Sequence, residues 1–158
     1  MGLTIELCEK IVGVTDADIP DDAFAHANRV TLDGLSVALA GTTQKAPKAL
    51  AQYVREQGCA PVATTIGFGF KTSPFYAAYL NGASMHVLDY EPMSTPPNHA
   101  TSPVLPGVLA LAEKLGADGR TAATALVKGI EMEGRLRFAE GHPGRYVFHT
   151  PGVVGPLG

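Results

Sequence analysis

Charge, cysteine and long apolar runs are all scarce in this sequence of 158 residues. Charged residues make up 17% and hydrophobic residues 46%, whereas an ordinary soluble domain has roughly 25% charged residues. The 12 basic residues are scattered and the net charge is −3, which argues against nucleic acid or an anionic membrane surface as a partner. The apolar surplus instead predicts surface that is buried against other protein.

The first ten residues, MGLTIELCEK, contain no cationic segment followed by an apolar one, and no apolar run approaches the length that spans a bilayer. The two cysteines, Cys8 and Cys59, stand far apart, so no disulfide framework is indicated and a compartment with reduced thiols fits. We therefore expect a cytoplasmic protein.

Helical periodicity runs through most of the chain, which has the length of one domain. It predicts helices at about 3–12, 20–40, 46–57, 74–89, 103–115 and 119–138. Gly34 lowers helix propensity by roughly 1 kcal/mol relative to Ala, which indicates close backbone packing. Gly41 is predicted as the residue beyond a helix end. At most one short strand or hairpin is expected around 62–70, so the predicted fold class is mainly all-α and bundle-like.

The segment YEPMSTPPNHATSP holds four prolines in fourteen residues, so a rigid, irregular loop is expected between two helices. His86 and Asp89 lie three positions apart at the end of the preceding helix and share a face. The loop delivers His99 ten residues after Asp89. A carboxylate and an imidazole that converge there could orient a base and move a proton near neutral pH.

Structural roles are the alternative for these histidines. His86 could cap carbonyls at the helix end, and His99 could satisfy polar backbone groups of the loop. A metal site of His86, Asp89 and His99 is a further alternative, because these ligand types suit zinc. Cysteine ligands are absent from it and the spacing matches no recognised set, so no metal ligands are assigned.

Six segments, taken in order, resemble the successive motifs of the MmgE/PrpD family of 2-methylcitrate dehydratase-like enzymes. They are RVTLDGLSVALAG, the Gly-Phe-Gly at 67–69, NGASMHVLDYEP, NHATSPVLPGVLALAEKLG, the GIEMEGRL at 129–136, and FHTPGVVGPLG. The resemblance covers almost the whole chain. On this basis residues 1–158 are identified as the N-terminal part of the family's helical domain, truncated after 158.

The resemblance implies a lyase or isomerase that needs no metal or organic cofactor. The family contains 2-methylcitrate dehydratase, cis-aconitate decarboxylase and an iminodisuccinate epimerase, which share proton transfer at a carbon beside a carboxylate of a small polycarboxylic acid. Dehydration, decarboxylation and epimerisation all stay open. A homodimer, or association with a C-terminal partner chain, is also implied. The alternatives are a non-catalytic fragment or helical association module of that family, and a small metal-binding helical protein.

The resemblance also assigns site residues. The family's active-site acid corresponds to Asp89, its loop histidine to His99 and a further histidine to His149. We expect His99 or His149 to act as general base or acid, and Asp89 to orient an imidazole or bind a substrate hydroxyl. Met93 stands where the family commonly has a hydroxyl residue.

Substrate-binding residues are expected around this catalytic set. Thr150, next to a helix start, could offer a hydroxyl and a backbone N–H to a carboxylate, and His86 is a second binding candidate. A polycarboxylate also needs cationic groups. The family's catalytic lysines correspond to positions beyond residue 158, so Arg135 is proposed as a substitute, with Arg137 and Arg145 nearby.

Overall fold

Helices dominate the part of the chain that the structure, a computed structural model, describes: residues 2–95 and 97–140. This part contains α1 (Leu3–Gly13), α2 (Asp21–Gly41), α3 (Lys45–Glu56), α4 (Pro74–His86), α5 (Leu105–Leu115) and α6 (Gly119–Glu140). A 3₁₀ turn spans Asp16–Asp18, and β1 (Ala63–Thr64) pairs antiparallel with β2 (Lys71–Thr72). The mainly all-α fold with one short hairpin is confirmed.

Helix α4 shows how local sequence sets the boundaries of an element. The Ser73 hydroxyl accepts from the backbone N–H of Tyr76, and Pro74 occupies the first turn, where its missing N–H costs nothing. The helix ends at His86, short of the predicted 89. Asp89 has a left-handed φ of 52°, a conformation that Asp tolerates but that a right-handed helix cannot include.

The core forms where α2, α4, α5 and α6 meet. Its buried members are Ala27, Ala38, Met85, Val104, Leu105 and Leu126. Each of the larger side chains contributes roughly 1.5–3 kcal/mol through burial. Met85 lies at the last turn of α4, whereas Val104 and Leu105 lie where α5 begins. Both ends of the intervening loop, residues 87–104, are therefore fixed by the core.

Two glycines of α2 allow close contact with its neighbours. A Cβ at Gly34 would lie 2.7 Å from Leu105 Cδ2 and 2.8 Å from Thr101 Cγ2, so the predicted close packing is confirmed. The predicted role of Gly41 beyond the helix end is wrong, because Gly41 is the last residue of α2 and Thr42 caps it. Glycine is needed there because a Cβ would lie 1.9 Å from the carbonyl oxygen of Ser84 in α4.

Apolar surface stays open along α1, in keeping with the apolar composition. No residue of α1 is buried. An apolar cavity of about 760 Å³ lies between α1, α2 and α6, and its lining includes Ile11, Val30 and Val127. Among the described helices, none combines the length and apolar character needed to cross a bilayer.

Gly41→Ala is expected to lower the free energy of unfolding by about 1–3 kcal/mol, because the new methyl group meets backbone that cannot move aside. Gly107→Ala in α5 is the matched control, since a Cβ there meets no atom within 4 Å. The control should be neutral or stabilising by up to about 1 kcal/mol. Urea denaturation measures both, and equal stabilities of the two variants would contradict the α2–α4 contact.

A candidate acid–base site in the loop at 87–104

The loop between α4 and α5 folds back on itself. Met93 and His99 form an isolated antiparallel bridge. The backbone N–H of Ser94 donates to the Asn98 carbonyl at 2.9 Å, and the Ser94 hydroxyl lies 3.3 Å from the same oxygen. Asn98 and Thr101 are fully buried. This turn holds His99 in one place against the helices.

Glu91 is the buried charge of the loop, with a side chain that is 0% exposed. Its Oε2 accepts from the backbone N–H of Ser102 at 2.6 Å, and its Oε1 accepts from the Ser102 hydroxyl at 2.5 Å. A buried carboxylate is unfavourable unless donors replace its water. Ser102, just before α5, supplies two of those donors.

Two imidazoles approach the same oxygen of Glu91. His86 Nδ1 lies 2.9 Å from Oε1 and His99 Nδ1 lies 3.3 Å from it. The two rings are edge to face, with centroids 4.7 Å apart. Because the carboxylate can only accept, its hydrogen bond with His86 favours the proton on Nδ1 of that imidazole. His99 Nδ1 makes an ionic contact with the same oxygen rather than a hydrogen bond. Glu91 therefore holds His86 by a hydrogen bond and His99 by its charge.

Asp89 lies on the other side of His99. Its Oδ1 is 3.7 Å from His99 Nε2, and its side chain is 79% exposed against 13% for His99. That separation is too long for a direct hydrogen bond. The predicted acid and imidazole thus lie near each other, with Asp89 open to solvent and His99 largely covered.

The structure does not group every predicted site residue with this cluster. Arg135 forms an exposed ion pair with Glu131 at 2.5 Å and lines the apolar cavity beside α1. His149, Thr150 and Arg145 lie outside the residues that the structure describes. The roles proposed for them, and for Arg135 in substrate binding, stay predictions.

Glu91 and Glu133 were missed at the sequence level. Glu91 follows Asp89 by two positions, and no spacing in the sequence indicates that it is the partner of the imidazoles. Glu133, on α6, is 1% exposed. Burial raises the pKa of the Glu133 carboxyl to about 7; the Asn98 amide acts to lower the pKa, and the charge of Glu91 raises it further. Helical periodicity could have indicated the burial of Glu133, because it lies on the same face of α6 as the buried Leu126.

Metal binding is the other chemistry that the cluster allows. Possible ligand atoms of His86, Glu91 and His99 lie within 4.8 Å of one another. This candidate metal site has Glu91 in the place of Asp89, the residue that the sequence suggested. However, both Glu91 oxygens accept from Ser102, and both imidazole Nδ1 atoms face Oε1. Ser102 and His86 already hydrogen-bond to the carboxylate, which favours an acid–base cluster.

Glu91→Ala should lower the free energy of unfolding by about 2–4 kcal/mol, since a buried donor left unpaired costs about 1–3 kcal/mol and Ser102 presents two. Glu56→Ala is the control, because among the described residues that exposed carboxylate accepts from Gln52 on its own helix alone. The control should stay within about 0.5 kcal/mol of the parent protein. Denaturant unfolding that finds both variants equally stable would show that Glu91 does not hold the loop.

Metal content provides a separate test of the cluster. We expect purified protein to contain metal well below stoichiometric amounts, and EDTA to leave its thermal unfolding unchanged, because the polar atoms of the cluster are engaged with one another. Elemental analysis and differential scanning fluorimetry measure the two. Stoichiometric zinc that is lost in His86→Ala, together with destabilisation by EDTA, would replace the acid–base interpretation with a metal site.

Comparison with known proteins agrees with the motif order. The family model described as MmgE/PrpD N-terminal domain matches residues 5–158. The chain is 32% identical to cis-aconitate decarboxylase of Mus musculus over 99% of its length and 31% identical to that of Homo sapiens over 99%. It is 31% identical to cis-aconitate decarboxylase of Aspergillus terreus over 83%.

The aligned part makes up 33% of the mouse protein, 34% of the human protein and 26% of the fungal one. The chain therefore spans about a third of the length of the relatives it matches. The family match covers nearly all of this chain, including the loop that carries Asp89, Glu91 and His99. The chain belongs to the MmgE/PrpD family, as the order of its motifs predicted.

Proposed function

We propose that this chain contributes the acid–base part of a lyase acting on a small polycarboxylic acid, with decarboxylation of a cis-aconitate-like tricarboxylate as the reaction. The observation that carries the proposal is the His99 imidazole, which has buried Glu91 at Nδ1 and exposed Asp89 at 3.7 Å from Nε2. The names of the relatives support the choice of decarboxylation over dehydration or epimerisation.

Decarboxylation requires one proton to reach carbon. The bond between the substrate carbon and its carboxylate breaks, carbon dioxide leaves, and the electron pair stays on the carbon until it is protonated. His99 in its cationic form donates that proton from Nε2, and the negative charge of Glu91 stabilises the imidazolium before the transfer. Asp89, at the exposed edge, orients the ring or holds a water that restores the proton. No metal or organic cofactor takes part in this proposal.

The substrate's carboxylates need donors from elsewhere. His86 is 45% exposed beside His99, so it can contact one carboxylate. The proposal assigns the remaining carboxylates to the segment with His149 and Thr150 and to cationic groups from further chain, since the relatives are about three times as long as this chain. A homodimer is proposed as the assembly in which the site is completed.

A helical association module without catalysis is the second candidate. The open apolar cavity between α1, α2 and α6 favours it, because such surface is typical of a protein interface. Light scattering together with binding of cis-aconitate separates the two candidates. Association without affinity for polycarboxylates would favour the module, whereas saturable binding would favour the lyase.

His99→Ala in the full-length protein is expected to lower kcat for release of carbon dioxide from cis-aconitate by about 10²–10⁴-fold, the range of a lost general acid. His26→Ala is the control, since His26 is exposed on α2 and lines the cavity beside α1 instead. The control should keep its activity within about twofold. Equal loss in both variants, or no loss in His99→Ala, would exclude His99 as the proton donor.

A further inference from the structure

Asn98 and Glu133 lie together behind His99. Asn98 directly precedes His99 and is 0% exposed, and Glu133 of α6 is 1% exposed. The Asn98 amide is near enough to influence the Glu133 carboxyl. Within the described residues, the two side-chain oxygens of Glu133 and the side-chain oxygen and nitrogen of Asn98 have no partner at good hydrogen-bond geometry. Buried polar atoms of this kind require an explanation.

The protonation state of Glu133 decides whether these atoms can pair. A carboxylate has acceptors only, so it could accept from Asn98 Nδ2 but would leave Asn98 Oδ1 without a donor. A protonated carboxyl has one O–H donor and one carbonyl acceptor. Those two groups match the acceptor and the donor of the amide, so a small rotation of the side chains would complete a ring of two hydrogen bonds. All four atoms are satisfied by one another only when Glu133 carries a proton.

Burial favours the neutral form of Glu133 and outweighs the Asn98 amide, which acts to lower the pKa of this carboxyl. Glu91 is the charged group that acts on it from the loop, and two neighbouring carboxylates disfavour joint ionisation. The buried positions of α2 and α5, which pack against α6, carry no titratable side chain. The 3₁₀ turn also packs against α6, but its two acids interact with cations and not with Glu133. Asp16 pairs with Arg120, and Asp18 interacts with Lys128.

Arg137 provides a second contact from the same helix to the same stretch of loop. It lies one turn after Glu133, is 4% exposed, and its Nε donates to the Pro97 carbonyl at 3.2 Å. Glu133 and Arg137 therefore reach two consecutive residues, Pro97 and Asn98, immediately before His99.

We propose that Glu133 is a positioning residue for His99, acting as a protonated carboxyl that pairs with the Asn98 amide while Arg137 holds the Pro97 carbonyl. The catalytic consequence rests on the proposed function, whereas the pairing itself does not. Ionisation of Glu133 breaks one of the two hydrogen bonds and places a second negative charge near Glu91. The loop is then released, so the site works at and below neutral pH and loses its geometry above it.

The sign of the pH effect on stability follows from the raised pKa. The folded protein holds the Glu133 proton up to about pH 7, whereas the unfolded chain loses it near the ordinary value of 4.5. The folded state binds more protons across that window, so stability falls as pH rises through it. Glu133→Gln keeps a donor and an acceptor facing Asn98 without any charge. The fall in stability with rising pH should therefore disappear in this variant.

The test compares the full-length protein with Glu133→Gln and with Glu131→Gln, a control at an exposed position of the same helix whose partner is Arg135. Carboxyl ¹³C NMR should show Glu133 titrating near 7 in the parent protein. The melting temperature of Glu133→Gln should exceed that of the parent by more at about pH 8.5 than at about pH 5, and Glu131→Gln should show no such trend. The ratio of Glu133→Gln activity to parent activity should rise about threefold or more between about pH 6.5 and pH 8.5, because loss of the proton donor itself lowers activity equally in both proteins.

Titration of Glu133 in the ordinary carboxyl range, or the same pH dependence of stability in all three proteins, would overturn the proposal. If no protein turns over substrate, the proposed function fails, while the NMR titration and the unfolding data still decide the pairing. Should Glu133→Gln fail to fold, the titration of the parent protein decides alone. An alkaline loss of activity that is unchanged in Glu133→Gln would assign that loss to another group and reject the positioning role.

Discussion

The buried negative charge of Glu91 is the constraint on which the candidate site depends. A carboxylate with no solvent exposure must find donors within the protein, and here they come from Ser102 before α5 and His86 at the end of α4, with the His99 ring in ionic contact. Three segments are tied to one side chain. The contacts that stabilise the buried carboxylate also hold the two imidazoles at the edge of the loop.

The helical frame makes that arrangement possible. Contact between the α2 and α4 backbones at Gly41, together with burial of Met85 and Leu105, sets where the loop starts and ends. Prolines limit the paths that the loop can take between those points. Helix α6 closes the back of the loop through Glu133 and Arg137. Packing therefore determines the distance between His99 and Asp89, and through it the chemistry that the site can perform.

The sequence predicted those features that depend on neighbouring residues. Helical periodicity predicted the helices, and the order of the motifs predicted the family. The sequence did not predict that Gly41 serves a close approach, because the atom it accommodates belongs to Ser84 in another helix. It did not identify Glu91, whose partner Ser102 lies eleven positions away. Nor could it show that Arg135 faces the cavity beside α1, since helical periodicity does not say which helix packs on which face.

In the proposed site, His86 and His99 are held on Glu91 and face a small polycarboxylate. The most direct test is NMR of the full-length protein with ¹³C-labelled histidine rings during a titration with cis-aconitate. The Cε1–H signals of His99 and His86 should shift and saturate together, while the signal of His26 stays in place. Saturable binding that leaves His99 unmoved, or that shifts His26 instead, would contradict this arrangement.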